Sequence, residues 1–441
     1  MMQAMERVLS SQLKTHIGKK VLISGWLYKK RELGGMTFLI LRDRHGLIQV
    51  LDEKSTEVKK LEGLQNGSIL KVEGLVVSDE RAPSGVEIHY PEITIDVPVK
   101  YVAPVEIDKV IDHTPDNLDT LFENRVVNMR NIIEQGIWKI QSGVADALRE
   151  YLKSNDFTEF HSPKLLAEAT EGGAEVFELK YFDKKATLAQ SAQFYKQIMV
   201  GAYERVFEIG ATYRAEPSMT TRHMSEFITV DVEMGFIDDF ADVVNLLSGA
   251  INGVVNKVWD KYENELLALK AEKPILKEEF PQITLKDLHE LYLKETGEDL
   301  RKEKDPTPAE ERFISEYSAK NFGSEAIYVT EFPAAHMKFY HHKSEKNPEV
   351  ADRADLIFRG VEIVTVTRRE NRYEKLVEQL KEIGGDPNHP GFKYYLEAFK
   401  YGLPAHGGFG LGLERLTQRI IGLNSVKEAT LFPRDVNRLT P

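Results

Sequence analysis

Two arginines that lie far apart in the sequence each stand in a setting suited to binding a phosphate. Arg214 ends a run that predicts a β-strand, and a polar loop separates it from a second predicted strand. A guanidinium at such a bend can bind two phosphate oxygens at once through its planar fork of donors. In the second strand Thr229, Asp231 and Glu233 alternate with apolar residues, which predicts a hairpin with one polar, acidic face.

The second arginine, Arg415, follows the run GGFGLG, in which glycines occupy positions 407, 408, 410 and 412. Because glycine has no Cβ, such a backbone can approach a ligand closely. Helical spacing resumes through Leu413, Leu416 and Ile420, so Arg415 is predicted in the first turn of a helix, where the macrodipole favours an anion. The same run is also compatible with tight packing of a strand on a helix and a solvated arginine.

The N-terminal region predicts a separate β-structure. Five short runs read as strands: VLISGWLYKK, MTFLILRDR, LIQVLDEK, SILKVEGLVVS and VEIHYPEITIDV. Glycine-containing turns join them, and five such strands are typical of an oligonucleotide/oligosaccharide-binding (OB) barrel. Tyr28 and Phe38 are predicted to stack on unpaired bases, although aromatic residues in strands more often belong to a core.

Composition sets wide limits on the class of protein. With 441 residues, of which 42% are hydrophobic, the chain can bury a large core and is expected to form at least two domains. The sequence contains no apolar run typical of a transmembrane helix or a signal peptide, so we expect a cytoplasmic protein. Zero cysteines exclude disulfides and thiolate zinc sites. The net charge is −12, yet residues 1–104 hold 15 basic and 13 acidic residues, which suits a local contact with a polyanion.

The hairpin at Arg214 and the glycine-rich run before Arg415 together resemble motifs 2 and 3 of the class II aminoacyl-tRNA synthetases. The amphipathic stretch 132–152 with the following NDFTEFHSPKLL resembles motif 1, which forms the dimer interface in that family. Four further passages are similar to the aspartyl-tRNA synthetases of the archaeal and eukaryotic branch: ATEGGAEVFELKYF, LAQSAQFYKQ, EAFKYGLPAHGGFGLG and LFPRDVNRLTP. The resemblance extends over the whole chain.

The resemblance implies an α+β fold, with a five-stranded OB barrel that binds the anticodon and a catalytic domain whose antiparallel β-sheet is flanked by helices. The expected boundaries are 1–104 for the barrel, 105–131 for a hinge and 132–441 for the catalytic domain, with a helical insertion at about 256–325. The implied partners are L-aspartate, tRNA(Asp) and a second copy of the chain, with no membrane and no DNA. The choice between tRNA(Asp) alone and both tRNA(Asp) and tRNA(Asn) stays open: Pro83 is typical of enzymes that charge both, whereas Tyr28 matches neither type.

The implied reaction has two steps. The carboxylate of L-aspartate attacks the α-phosphorus of ATP, with Mg²⁺ as cofactor, and the tRNA 3′ end then takes the aspartyl group. Such a transfer needs charge stabilisation and alignment rather than a protein nucleophile. Arg214 and Arg415 are the implied catalytic residues, which hold the α- and γ-phosphates, and the adenine is expected between Phe227 and Arg415. The implied ATP-binding set is Arg214, Glu216, Arg222, His223, Phe227, Glu362, Gly412 and Arg415.

Further sets follow from the same resemblance. Asp355, Glu362 and Thr365 are the implied Mg²⁺ ligands, and because the two carboxylates lie in one short segment we expect a turn at Arg359-Gly360 between them. The implied aspartate-binding residues are Glu171, Gln193, Lys196, His223, Asp231, Thr365 and Arg369. Lys196 and Arg369 favour aspartate over asparagine, since a neutral amide would leave two buried cations unpaired.

Two segments depart from the family's usual sequence. Val366 and Arg368 stand where the family usually has Gly and Gln, and Pro217-Ser218-Met219 replaces the usual motif 2 loop. Val366 is expected to add carbon atoms where the substrate lies, and Arg368 to add charge. An asparagine–tRNA ligase and a paralogue that adenylates another substrate therefore stay as alternatives to an aspartate–tRNA ligase.

Overall fold

The structure is a computed structural model that describes residues 5–83, 85–111, 113–168, 176–217 and 220–440. They fall into two compact units, Met1–Gln135 and Gly136–Pro441. The helices are α1 (Pro115–Glu123), α2 (Arg125–Asn128), α3 (Ile132–Ser154), α4 (Gln193–Tyr203), α5 (Phe240–Ala268), α6 (Leu285–Thr296), α7 (Pro308–Phe322), α8 (Tyr373–Glu382), α9 (Lys393–Lys400) and α10 (Leu413–Ile421). Within the described ranges no helix is long and apolar enough to cross a membrane.

The strands are β1 (Lys20–Leu33), β2 (Met36–Arg42), β3 (Leu47–Asp52), β4 (Ile69–Ser78), β5 (Val86–Val97), β6 (Thr158–Glu159), β7 (Leu165–Leu166), β8 (Glu178–Tyr181), β9 (Lys184–Leu188), β10 (Arg205–Tyr213), β11 (Glu226–Gly235), β12 (Gln282–Thr284), β13 (Ala326–Thr330), β14 (Arg353–Phe358), β15 (Val361–Arg368) and β16 (His406–Gly412).

The N-terminal unit contains a closed barrel in which the strands follow the order β1-β2-β3-β5-β4. Neighbouring strands are antiparallel except β3 and β5, which are parallel. Alternate side chains point inward, so Ile23, Leu39 and Val72 are fully buried in one core, as the two-residue period of a strand requires. The predicted five-stranded OB barrel is confirmed.

The second unit is built on an eight-stranded sheet with the order β12-β13-β14-β15-β16-β11-β10-β6. Its central strands are antiparallel, and the edge strands β12 and β6 run parallel to their neighbours. Helices α3, α5 and α10 pack apolar side chains against the sheet in a single core. Because side chains alternate along each strand, the polar residues of the central strands lie on the opposite face. The predicted α+β class, an antiparallel sheet flanked by helices, is confirmed.

Residues 256–325, the predicted helical insertion, include the second half of α5, strand β12 and helices α6 and α7. Val258 and Trp259 of α5 belong to the main core, and a smaller core joins Leu285, Leu288 and Ile314 to strands β13 and β14. Strand β12 pairs with β13 and extends the main sheet at one edge. The domain boundaries drawn from the sequence stay predictions.

The glycine run of β16 meets a packing requirement at its start. Gly408 lies opposite Glu233 in the pairing of β16 with β11. A Cβ at Gly408 would overlap the carbonyl oxygen of Val232 and the carboxylate of Glu233, and one at Gly407 would lie 2.8 Å from the Val243 side chain. These two positions therefore need glycine because the strands and α5 leave no room for a side chain.

Replacing Gly408 with alanine is expected to lower the free energy of unfolding by about 2–3 kcal/mol, because the added methyl group forces β11 and β16 apart. Scanning calorimetry of the full chain would show this as a lower Tm. The matched control is Gly253→Ala in α5, where a Cβ meets only Tyr151 at an ordinary 3.5 Å. Equal Tm values for the two variants would contradict the assignment.

Candidate active site

A cavity of about 570 Å³ opens on the polar face of the eight-stranded sheet. Strands β11, β14, β15 and β16 and the first turns of α4 and α10 contribute to its walls. The cavity brings together most of the predicted site residues: Gln193, Lys196, Arg214, Glu216, Arg222, His223, Phe227, Asp231, Asp355, Glu362, Thr365, Arg369, Gly412 and Arg415. Glu171 lies outside the described residues, as do Ser218 and Met219 of the motif 2 loop.

Arg415 lies in the first turn of α10, as its spacing predicted. Its guanidinium donates to the carbonyl oxygens of Glu362 and Arg222, at 3.0 and 3.3 Å. Carbonyl groups orient a guanidinium without neutralising it, and Arg415 lines the cavity. The position is therefore suited to a phosphate.

Phe227 and Arg214 form a second part of this end of the cavity. The central guanidinium carbon of Arg214 lies 5.4 Å from the centroid of the Phe227 ring. The Arg214 side chain is 41% exposed and 3.9 Å from the carboxylate of Glu216, and an exposed pair at that distance is weak. The guanidinium over the Phe227 ring is thus that of Arg214, while the adenine stack between Phe227 and Arg415 stays a prediction.

Arg222 and His223 close the cavity from the loop between β10 and β11. Arg222 donates to the carboxylate of Glu311 at 2.8 Å and to the carbonyl oxygen of Gly360 at 3.1 Å. The Nδ1 atom of His223 is 2.6 Å from the Thr220 hydroxyl. Burial, together with the positive charge of Arg415, lowers the pKa of His223. The imidazole is therefore neutral near pH 7.

Glu414 lines the cavity and joins α10 to β11. Both of its carboxylate oxygens accept from the backbone N–H of Ile228, each at 3.1 Å. Burial raises the pKa of Glu414 to about 7. The helix that carries Arg415 and the strand that carries Phe227 are therefore bonded directly to each other.

The two carboxylates predicted to bind Mg²⁺ lie on a β-hairpin. Strands β14 and β15 meet at Arg359-Gly360, whose φ angles are 47° and 79°, and two positive φ values are what a two-residue hairpin turn requires. Asp355 pairs with Thr365 across the hairpin, and the Thr365 hydroxyl donates to Glu362 at 3.0 Å. The predicted turn is confirmed, and it places both carboxylates at the cavity.

Asp355 already has a cationic partner within the protein. Nε and Nη2 of Arg353 donate to its two oxygens at 3.1 and 2.6 Å. In the described part of the chain, no group of three or more His, Cys, Asp or Glu side chains is arranged to hold a metal ion. Two carboxylates and a hydroxyl are nevertheless donors that Mg²⁺ accepts when phosphates supply further ligands. The donor set therefore fits Mg²⁺, with Asp355 engaged by Arg353.

At the other end of the cavity two cations and two carboxylates are buried together. The Nζ atom of Lys196 lies 3.0 Å from Oδ1 of Asp231. Arg369 binds Glu233 through Nε at 2.8 Å and Nη2 at 3.2 Å. Burial alone would raise the pKa of Asp231, but Lys196 and the Thr229 hydroxyl hold it below its ordinary value. This end of the cavity is a set of two ion pairs, for which opposite charge compensates burial.

These pairs overturn the reason predicted for the choice of aspartate. A neutral amide was expected to leave Lys196 and Arg369 unpaired, yet each cation has a carboxylate partner inside the protein. Arg369 and Glu233 also offer donors and acceptors side by side, which an amide can satisfy. The charges of these four side chains therefore do not by themselves exclude asparagine as a substrate.

The expected effect of Val366 and Arg368 on the pocket is also wrong. Val366 is fully buried in the apolar core on the opposite face of the sheet, and the Arg368 guanidinium lies 4.0 Å from Asp352. The β15 residues next to these two that line the cavity are Thr365 and Thr367. Because neighbouring residues of a strand point to opposite faces, the two unusual residues lie away from the substrate.

Sequence reasoning gave no role in the site to four side chains that shape it: Glu233, Glu311, Arg353 and Glu414. Glu233 was predicted on the polar face of its strand, and the same two-residue spacing would have found Arg353, which precedes Asp355 on one strand face. Glu311 has no such signal, since it comes from α7 and reaches the cavity only through the fold.

The three predicted anticodon residues belong to the N-terminal unit. Tyr28 and Phe38 are half-buried on β1 and β2, and Pro83 is exposed between β4 and β5. Burial, together with the charge of Asp108, raises the pKa of Tyr28. Trp26, on the same strand as Tyr28, is covered by Arg42, whose guanidinium carbon is 4.6 Å from the ring. Tyr28 and Phe38 thus keep part of their surface open to solvent.

Comparison with known proteins agrees with this geometry. Residues 117–436 match the family model of tRNA synthetases class II (D, K and N), and residues 21–96 match that of the OB-fold nucleic acid binding domain. The chain is 40% identical over 439 residues to the aspartate–tRNA(Asp/Asn) ligase of Thermus thermophilus, which covers 99% of this chain and 100% of the relative. It is also 40% identical over 429 residues to the aspartate–tRNA(Asp) ligase of Pyrococcus horikoshii, with coverage of 96% and 97%.

Solved structures give the same family. The asparaginyl-tRNA synthetase of Pyrococcus horikoshii with asparaginyl-adenylate superposes with a TM-score of 0.90 at 30% identity, over 99% of this chain and 100% of that one. The aspartyl-tRNA synthetase of Entamoeba histolytica gives 0.85 at 27% identity, over 100% and 94%. The resemblance read from the motifs is confirmed, and the chain belongs to the class II aminoacyl-tRNA synthetases of the aspartate, lysine and asparagine group, with an N-terminal OB-fold domain.

Proposed function

We propose that this chain is an aspartate–tRNA ligase. It activates L-aspartate with ATP to give aspartyl-adenylate and pyrophosphate, and then transfers aspartate to the 3′ end of tRNA(Asp). The observation that carries the proposal is that one cavity joins two unlike ends, one where the Arg415 guanidinium donates to backbone carbonyl oxygens and an ion-paired one at Lys196 and Arg369. The two substrates match this arrangement, because the triphosphate of ATP is polyanionic and L-aspartate carries both signs of charge.

At the phosphate end, Arg214 and Arg415 hold ATP and stabilise the charge that develops on the transferred phosphorus. Glu216 and Phe227 bind the adenine, Arg222 and His223 border the triphosphate, and Gly412 leaves room beside it. Asp355, Glu362 and Thr365 would hold Mg²⁺, which supplies further positive charge to the phosphates when bound. A carboxylate nucleophile attacks the α-phosphorus directly, so the protein's work is alignment and charge stabilisation.

At the amino-acid end, Gln193 and Asp231 receive the substrate ammonium group, together with Glu171. Arg369 and Lys196 receive the carboxylates, while Glu233 keeps Arg369 oriented through two hydrogen bonds. Each cation already has a carboxylate partner in the protein. The substrate carboxylates therefore bind to cations that are also paired with Asp231 and Glu233. Aspartate is therefore proposed over asparagine because the full-length relatives are aspartate–tRNA ligases, and an asparagine–tRNA ligase is the alternative.

The OB barrel is proposed to bind the anticodon of tRNA(Asp) through Tyr28 and Phe38. Pro83 lies exposed in the β4–β5 loop and favours tRNA(Asn) as a second substrate. The enzyme is proposed to act in the cytoplasm as a homodimer formed through α3 and the residues after it. The proposed domains are those of the sequence, 1–104, 105–131 and 132–441.

The direct test of substrate choice is ATP–pyrophosphate exchange with each standard amino acid in turn. Exchange with aspartate alone supports the proposal, whereas exchange with asparagine alone identifies the competing enzyme. No exchange with any amino acid, in a folded protein that binds ATP, would indicate a paralogue. Charging of purified tRNA(Asp) and tRNA(Asn) then decides whether one or both are substrates.

Arg415→Ala is expected to reduce aspartate-dependent exchange at least about 1,000-fold, because the guanidinium stabilises charge on the phosphates, while tRNA binding is kept. The matched control is Arg419→Ala, one turn further along α10, where the guanidinium also donates to carbonyl oxygens but does not line the cavity. Normal exchange in the Arg415 variant would exclude it from the ATP site.

Lys196→Leu is expected to raise the KM for aspartate roughly 100-fold, because it leaves the Asp231 carboxylate buried without its cation. The KM for ATP should change little. Lys164→Leu is the matched control, since Lys164 also pairs with a buried carboxylate, Glu208, at 3.0 Å and lies outside the cavity lining. Equal increases for aspartate and ATP would remove Lys196 from the amino-acid end.

Phe38→Leu is expected to lower kcat/KM for tRNA charging about tenfold, since a stacked base contributes about 1–3 kcal/mol. Aspartate-dependent exchange without tRNA should be unaffected, because it uses only the cavity. Tyr90→Leu, an exposed aromatic residue of the same barrel, is the control. An equal loss of charging in both variants would mean that Phe38 has no special contact with tRNA.

A further inference from the structure

We propose that Arg353 acts as a built-in cation that keeps Asp355 closed to divalent metal ions until nucleotide binds. This inference rests on the proposed role of Asp355 as a metal ligand. The Arg353 guanidinium donates to both oxygens of Asp355, at 3.1 and 2.6 Å. A metal ion at Asp355 would use the same oxygens, so the guanidinium and the metal compete for one carboxylate.

Arg353 is firmly held in this position. Its side chain is 14% exposed, its guanidinium carbon lies 3.9 Å from the centroid of the Phe332 ring, and Nη1 contacts the sulfur of Met337 at 3.6 Å. A buried arginine on an aromatic face, with two charge-assisted hydrogen bonds, is a strong local arrangement. A free metal ion must displace it before it can reach Asp355.

The remaining donors do not make a metal site on their own. Glu362 is the second carboxylate of the hairpin, and one of its oxygens accepts from the Thr365 hydroxyl. Mg²⁺ loses its water reluctantly and is usually held by one or two carboxylates together with substrate phosphates. With Asp355 engaged, the β14–β15 hairpin of the nucleotide-free enzyme offers one carboxylate, which is too few for a stable site.

Asp305 gives Arg353 a second anionic partner. The Nη2 atom that binds Asp355 is also 3.0 Å from Oδ1 of Asp305, whose side chain is 59% exposed. Both acids and Arg353 line the same cavity. The guanidinium can therefore release Asp355 and keep Asp305 without losing its counter-charge. Asp355 then becomes available to the metal ion when the triphosphate supplies the remaining ligands.

The test is a titration of the full-length, nucleotide-free enzyme with Mn²⁺, in which the electron paramagnetic resonance signal of free Mn²⁺ measures how much of the ion is bound. The wild-type protein should bind Mn²⁺ only in the range of about 1 mM or weaker, and Arg353→Gln should bind at least about tenfold more tightly, because it removes the competing cation. Arg368→Gln is the matched control, since it removes an arginine from the same hairpin on the opposite face and should leave Mn²⁺ binding unchanged.

A second change locates the gained site. Adding Asp355→Asn to the Arg353→Gln variant should abolish the gain. Unchanged Mn²⁺ affinity in a folded Arg353→Gln protein would overturn the proposal, as would a tight wild-type site that Asp355→Asn removes. Arg353→Met, which keeps the packing on Phe332, replaces the glutamine variant if that one does not fold.

Aspartate-dependent pyrophosphate exchange separates this inference from the proposed function. Exchange in the wild-type protein supports the ligase whatever the Mn²⁺ titration shows. If the wild-type protein shows no exchange but Arg353→Gln binds Mn²⁺ more tightly, the proposed ligase function is overturned. The proposed competition between the guanidinium and the metal ion is then still supported.

Discussion

Four buried charged side chains fix the relative positions of the elements at the centre of the second unit: Lys196, Asp231, Glu233 and Arg369. None of them could be buried alone at acceptable cost, and each is compensated by an opposite charge within hydrogen-bonding distance. They come from α4, from β11 and from the residue that follows β15, so their pairing fixes these elements relative to one another. Gly408 completes the constraint, because only a strand without a side chain there leaves space for Glu233.

The same constraint gives the cavity its two different ends. The ion-paired end carries no excess charge among these four residues, whereas the Arg415 guanidinium at the other end donates to two carbonyl oxygens. An electrostatic difference of this kind orients a ligand that has a polyanionic end and a zwitterionic end. Strand alternation makes the difference possible, since it sends the apolar half of β11, β15 and β16 to the core and the polar half to the cavity.

The parts of the structure that could be predicted from the sequence depend on local rules. The barrel strands were predicted from a two-residue period of apolar side chains. The β14–β15 turn was predicted because Asp355 and Glu362 lie in one short segment. The position of Arg415 was predicted from a run of glycines followed by helical spacing. The family could be read because several motifs occur in order along the chain. In each of these cases the evidence lies within a few neighbouring residues.

The rest of the site could not be predicted because it depends on partners that are distant in sequence. Arg369 and Glu233 are 136 positions apart, and nothing local indicates that one neutralises the other. The prediction for Val366 was wrong for a related reason. It rested on the residue type, which departs from the family, but the side chain points to the face of β15 that packs in the core. Arg353 was overlooked although it lies two residues from a predicted ligand, because no motif singles it out.

The bonds between Glu414 and Ile228 have a consequence for how two parts of the cavity wall can move. Because both oxygens of the Glu414 carboxylate accept from a backbone N–H of β11, the first turn of α10 and the start of β11 cannot shift independently. Glu414 is next to Arg415 in the chain, and Ile228 is next to Phe227. A backbone displacement at one of these two cavity residues is therefore transmitted to the other, so that the helix end and the strand end respond as a single unit.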